Sequence, residues 1–424
     1  MKPFITLDEL VALARERSSF YRDLYRDLGP KPRLQELPVI TQETYWAAHQ
    51  KDYHAVLTGP LRDGLVVTSG GSTGAPKFSY YAMDEWPINH HLSGLAFATA
   101  GLQAGDRVGN LFGAGELYAS FIGCTLSLKS YPAGVLQFPL ATHAPDKLVI
   151  ELMREFGIDT FAGVTSRLMR LVASIERENA AVKIRRFLYA GEPFFPAQRA
   201  YCQRRFPGID FRSLGYASID SGFIGAAETD AQPGEHRALD LGGIMEIHDE
   251  ETGEPIEESG VPGKVIFTNL ARRLMPIIRY PAGDVAQWLE PAGTPNRKFM
   301  LLGRSEEAAR IAHENMHVAD VRALLEPFTP DLDLVGFQLI VTTEPDRRDK
   351  LTIRLAARAS QEIRVQLEPK IHAAIETHKP RYNAMVRVGT AHPISLEWVK
   401  PDDLITNVRS GKVRMVVDQR GQAV

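Results

Sequence analysis

The chain has 424 residues, of which 44% are hydrophobic and 24% charged, with a formal net charge of −3. That length exceeds what one hydrophobic core usually serves, so two domains are expected, and the near-neutral charge excludes a global basic field for nucleic acid. Cys124 and Cys202 are far apart and lack a CxxC or Cys/His cluster, which excludes a disulfide framework and structural zinc and fits a reducing compartment.

Residues 5–28 carry a helical apolar rhythm through Leu7, Leu10, Leu13 and Ala14, which predicts a helix ending at "LGPKP". No signal-peptide core precedes it and no run of about 18 apolar residues follows, so a cytoplasmic protein without a membrane span is expected. From residue 64 short apolar runs ("GLVVT", "RVGNLF", "IDTFAG", "RFLYAG", "IDFRSLGY") alternate with helix-length segments at 145–156, 165–179 and 195–206. This alternation predicts a largely parallel α/β domain. A strand-rich region follows with "GIMEIHD", "GKVIFTNL" and "DVAQWLE", punctuated by turn-forming clusters. Beyond Gly303–Glu306 the pattern restarts: a helix near 317–327, a hairpin pairing "LVGFQLIVTT" with "KLTIRLAA", and a helix near 360–378. The expected organisation is a large α/β domain over 1–303 and a small α+β domain over 304–424.

The stretch "VVTSGGSTGAPK" follows an apolar strand and is rich in Gly, Ser and Thr. Glycines let backbone N–H groups approach phosphate oxygens, hydroxyls add donors, and Lys77 adds a point charge. It lacks the GxxxxGK[ST] order, and its local chemistry alone also suits an exposed turn. Taken singly, Asp284 reads as a turn cap, Arg304 as a surface arginine and Lys412 as part of a solvated basic loop.

The order Gly-Ser-Thr-Gly-x-Pro-Lys resembles the phosphate loop of adenylate-forming enzymes, the superfamily of acyl-CoA synthetases, adenylation domains and luciferases. Further segments agree in order. "YAGEP" (189–193) resembles the adenine-pocket segment, and "GYASIDSG" (215–222) the aromatic segment with a magnesium-side carboxylate. "MPIIRYPAGD" (275–284) resembles the stretch ending in the ribose-binding aspartate, "GRSEEAARI" (303–311) the interdomain hinge, and "RSGKVRMVVD" (409–418) the segment with the catalytic lysine. "LPVITQETY" (37–45), the Gly-Glu-Pro form and "ETGEP…GKVIFTNL…MPIIRY" resemble the phenylacetate–CoA ligase branch in particular.

That resemblance implies a large N-terminal adenylation domain of several α/β subdomains with a small mobile C-terminal domain. It implies ATP, Mg2+ and a small-molecule carboxylic acid, aryl or arylacetic, with coenzyme A as acceptor. A carrier-protein thiol or an amine is the alternative acceptor, and a non-catalytic nucleotide-binding protein the alternative of another class. Ser69, Gly70, Gly71, Ser72, Thr73, Gly74 and Lys77 would hold the β- and γ-phosphates. Thr73 and Asp220 would lie near magnesium. Ala190, Gly191, Glu192, Pro193, Tyr216, Ala217 and Ser218 would line the base, Asp284 and Arg304 would take the ribose, and Lys412 would bridge the carboxylate and α-phosphate. Glu306 would mark the hinge.

Three positions depart from the family pattern: Gly70 for the usual Ser or Thr, Asp220 for Glu, and Ala312–His313 for Arg-Gly. In "GNLFGAGELYASFIG" small and aromatic residues suit a flat substrate, with Glu116 and Tyr118 as polar points; a buried Glu there would need a partner. Trp86, His90 and His91 read as packing or surface residues. No nucleic-acid or membrane partner is expected, and a homodimer is the commonest soluble assembly.

Overall fold

Short apolar strands alternating with amphipathic helices assemble, in the computed structural model, into a five-stranded parallel sheet among the described residues. Those are residues 4–68, 77–192, 194, 196–304, 308–311, 314–407 and 410–420. The strand order is Leu136–Pro139, Arg107–Asn110, Thr160–Gly163, Arg186–Tyr189, Asp210–Ser213. Every residue of the central strand is buried, as a sheet covered on both faces requires. Helix Thr165–Arg177 buries Leu168, Leu171, Val172 and Ile175, one face at helical spacing, within the same core as Val149, Ile150 and Met153 of helix Asp146–Phe156. Gly157, at φ 63°, ends the latter helix in the left-handed conformation.

A second sheet is antiparallel, in the order Gly243–His248, Pro262–Asn269, Tyr280–Trp288, Lys298–Arg304, Glu235–Ala238, Gly222–Ala226, Tyr216–Ser218. Its register sets Asp284 opposite Arg304. Strands Gly64–Thr68 and Phe78–Ala82 pair antiparallel, with Thr68 opposite Phe78. Residues 69–76, which join them and carry most of the predicted phosphate loop, lie outside the described residues.

The expected N-terminal helix is two, Leu7–Arg17 and Ser19–Leu24. Ser18 causes the break. Fully buried and extended at φ −98°, ψ 124°, it accepts from the N–H of Tyr21 and donates to the carbonyl of Ala55 at 2.7 Å.

The C-terminal part holds a four-stranded sheet ordered Ser395–Val399, Asp349–Ala357, Leu334–Thr343, Val416–Asp418. The central hairpin is antiparallel and both outer strands run parallel to their neighbours. Helices Val318–Leu325 and Gln361–His378 contribute to its core. No helix among the described residues is long and apolar enough to cross a membrane.

Truncating Leu168, which is completely buried in the main core, should lower stability by about 2–5 kcal/mol. For Leu168→Ala, urea unfolding should show a lower midpoint at unchanged slope.

Candidate active site

Ligands of open α/β sheets bind outside the carboxyl ends of the strands. Here Ala190–Glu192 follow strand Arg186–Tyr189, and Leu214 and Gly215 follow Asp210–Ser213. Both loops line a cleft of about 2280 Å³, which also takes in Asp284, Arg304 and Lys412.

Lys412 comes from the C-terminal part, four residues before strand Val416–Asp418, whose pairing with Leu339–Val341 fixes where the turn can reach. The turn is closed by its own backbone: Asn407 N–H donates to Lys412 O at 2.7 Å, and Gly411 N–H to Asn407 O at 2.8 Å. Asn407 Oδ1 accepts from the N–H of Ser410, whose Oγ accepts from that of Lys412. The lysine side chain then lies against Gly191: a Cβ there would stand 2.5 Å from Lys412 Nζ. Gly191 also has φ +78°, a left-handed backbone that favours glycine.

Around that ammonium the polar groups converge. Tyr216 OH donates to Asp284 Oδ2 at 2.6 Å, and Arg304 Nε stands 3.6 Å from Asp284 Oδ1. Burial pushes the Asp284 carboxyl upward, against the pull of Arg304, the Tyr216 hydroxyl and Lys412. Glu192 is raised by burial too, opposed by the Ser166 and Val413 N–H groups, the Ser166 hydroxyl and Lys412. Its carboxylate accepts from the N–H of Ser166 and of Val413. Ala190, Ala217 and Ser218 line the same cleft, and Ser218 Oγ accepts from the N–H of Ser221 at 2.9 Å.

The predicted metal-side carboxylate, Asp220, is buried and also lines the cleft. Ser79 Oγ donates to its Oδ1 and Tyr280 OH to its Oδ2, each at 3.1 Å. Burial raises its pKa while Lys77, Arg272 and the two hydroxyls oppose the rise. Lys77 Nζ donates to Gln42 Oε1 at 2.6 Å, and Gln42 Nε2 donates to Pro281 O at 2.9 Å. Trp46, on the same helix Gln42–Lys51, donates to Tyr280 OH at 2.9 Å. Among the described residues no group of three His, Cys, Asp or Glu is placed to hold a metal ion. The predicted residues Ser69, Gly70, Gly71, Ser72, Thr73, Gly74, Pro193 and Glu306, and the departures at Ala312 and His313, lie outside the described residues.

The apolar end of the cleft contains Trp86, Phe97, Phe112, Tyr118 and Phe223. Tyr118, one of the two residues read as polar points of the slot, is buried and lines the cleft. Glu116 is not: it is exposed, absent from the lining, in a turn whose Gly115, Glu116 and Leu117 all have positive φ (88°, 48° and 62°). That turn is tied to the end of strand Gly64–Thr68 by the bond from Thr68 N–H to Leu117 O at 3.0 Å. The polar wall of the slot is His90 instead. Its ring lies 4.4 Å from Trp86, its Nδ1 is 3.2 Å from Ser127 Oγ, and burial pushes its pKa down to about 4, so the imidazole is neutral. Cys124, in the same wall, has its thiol pushed up by burial.

No family model matches the chain. Over 433 residues it is 24% identical to the phenylacetate-coenzyme A ligase of Thermus thermophilus, spanning 98% of this chain and 95% of that protein. A phenylacetate-coenzyme A ligase of Aromatoleum evansii is 24% identical over 363 residues, 84% of this chain and 78% of the relative. Among solved structures, 2-hydroxyisobutyryl-CoA ligase in the postadenylation state with 2-HIB-AMP gives a TM-score of 0.73 at 18% identity, over 97% of this chain and 88% of that one. The chain is thus similar over nearly its whole length to phenylacetate-coenzyme A ligases and shares the fold of 2-hydroxyisobutyryl-CoA ligase.

Several residues of this cleft escaped the sequence reading. Gln42 was visible only as part of "LPVITQETY", and its contact with Lys77 depends on a fold that joins separate segments. Ser166 follows strand Thr160–Gly163 at a carboxyl end of the parallel sheet, a position that topology alone could have flagged. His90 read as packing, and it is both packed and cleft-lining.

Because Glu116 is exposed and outside the cleft lining, Glu116→Gln should change turnover of amino-substituted and unsubstituted aryl acids by the same factor. Comparing kcat/KM for the two acids in both proteins checks this; a selective loss on the aminated acid would return Glu116 to the pocket.

Proposed function

We propose that the protein activates a carboxylic acid with ATP, releasing pyrophosphate and forming an acyl-adenylate, and then transfers the acyl group to coenzyme A. The observation that carries this reading is the seating of Lys412 against Gly191, among Tyr216, Asp284 and Arg304 at the carboxyl ends of the parallel strands. Likeness along 98% of the chain to a phenylacetate-coenzyme A ligase supports it.

A carboxylate is a poor acyl donor because oxide is a poor leaving group. Attack of a carboxylate oxygen on the α-phosphorus forms the mixed anhydride and breaks the bond to the bridging oxygen, so pyrophosphate departs with that electron pair. The protein's work is positioning and charge neutralisation. Lys412 would join the substrate carboxylate to the α-phosphate, bringing two anions together. Asp284 and Arg304 would take the ribose hydroxyls, with Ala190, Gly191, Tyr216, Ala217 and Ser218 around the base. Residues 69–77 would hold the departing phosphates.

Asp220 fits magnesium as a protein carboxylate ligand: each oxygen, though held by a hydroxyl, keeps a lone pair, and magnesium normally retains water and phosphate oxygens. When bound, that ion would neutralise charge on the triphosphate.

In the second half-reaction the thiolate of coenzyme A attacks the acyl carbon and AMP leaves. By family resemblance the part after residue 303 would swing about Glu306, withdrawing Lys412 and opening a path for the thiol. An aryl or arylacetic acid is favoured because aromatic rings flank small residues, Gly123 and Ser127, in the slot. Comparing coenzyme A, holo-carrier protein and amines as triggers of AMP release identifies the acceptor.

Lys412→Ala should abolish acid-dependent pyrophosphate release while ATP binding stays within about threefold, since the lysine acts where charge develops. Pyrophosphate release persisting in that variant would refute the role given to Lys412.

A further inference from the structure

On the acid–CoA ligase reading, Lys412 acts in the first half-reaction and withdraws for the second, so whatever docks its turn would set the balance between them. The turn is gripped at successive residues. Glu192 Oε1 accepts from the N–H of Val413 at 2.7 Å, and its Oε2 accepts from the N–H of Ser166 at 2.8 Å. Ser166 Oγ in turn donates to the carbonyl of Gly411 at 3.0 Å. Gly411, at φ +70°, sits so close to Thr142 that a Cβ would stand 2.6 Å from its Oγ1. One carboxylate therefore bridges the helix start after the central parallel strand and the backbone immediately after Lys412.

Both oxygens of Glu192 are directed at backbone donors. A carboxylate is the fitting group for this task, since it accepts on both oxygens without a donor of its own, and charge-assisted bonds are the stronger kind. The bond to Val413 spans 221 residues of sequence, so it forms only when the C-terminal part is docked with its lysine inward.

We propose that Glu192 is a positioning residue for adenylate formation: its carboxylate fastens the Lys412 turn onto the nucleotide loop and lets go for acyl transfer, so its role is docking and not recognition of the base. This rests on the acid–CoA ligase reading and deepens it. Glu192→Gln leaves one acceptor oxygen for two N–H donors, and Glu192→Ala leaves none.

The test separates the half-reactions. Acid-dependent pyrophosphate release reads the first; thioester formation from coenzyme A and chemically synthesised acyl-adenylate reads the second. Loss of a hydrogen bond to a charged group should lower kcat of the first by about 10- to 100-fold, Ala more than Gln. The KM for ATP should stay within about twofold, and the second half-reaction should keep the wild-type rate. Equal losses in both half-reactions, or a raised KM for ATP at unchanged kcat, would overturn the proposal. Should the Glu192 variants fail to fold, Ser166→Ala decides the matter. It removes the hydroxyl that bonds Gly411 O and also supports Glu192, while leaving the Glu192 carboxylate in place, and it should give a smaller loss confined to the first half-reaction; no loss, or a loss in both, overturns the docking role. A folded wild-type protein that releases no pyrophosphate with any acid would instead refute the ligase reading beneath it.

Discussion

An ammonium group held against a glycine α-carbon, beside a half-buried carboxylate, is the constraint around which the cleft is arranged. Lys412 arrives from a different sheet than the one bearing Gly191, and it can do so only because Val416–Asp418 pairs with the hairpin strand Leu334–Thr343 and because the turn is tied down on Ser166 and Glu192. Gly191 supplies the space, and any side chain there would displace the lysine. The seat is made by two parts of the chain far apart in sequence.

The remaining polar groups follow a common pattern. Asp220 and Asp284 each sit where burial disfavours the charge, and each is compensated by a tyrosine hydroxyl and nearby cations. Burying a carboxylate is tolerable only with such partners. The partners are fixed by the sheets: the Tyr216 and Tyr280 rings are buried, and Tyr280 is held in turn by Trp46. Donors and acceptors thus stand oriented before a substrate arrives, which is the preorganisation that acyl activation needs.

Much of the large α/β region was legible because parallel strands buried on both faces read as apolar runs, and "IDTFAG" and "RFLYAG" are such runs. Leu136–Pro139 was not found: it is an edge strand ending in proline, with Leu136 54% exposed, so it carries neither an apolar run nor clean alternation. The break at Ser18 was hidden because the apolar rhythm continues across it, and only its buried hydrogen bonds reveal it. Motif order pointed to Lys412, Asp284 and Gly191, whose side chains or backbone do meet in the cleft. The reading of "GNLFGAGELYASFIG" as a slot with Glu116 as a polar point differs from the structure, since left-handed backbone at three consecutive residues is not written in their types. The direction of Glu192 was equally unreadable, because it is set by donors at Ser166 and Val413, far off in sequence.

Acid-dependent exchange of labelled pyrophosphate into ATP, run on the intact protein with aryl and arylacetic acids, tests the central assignment most directly. Exchange should occur with at least one of these acids and stay at background without acid. A folded protein that binds ATP yet shows no exchange above background with any of them would contradict it.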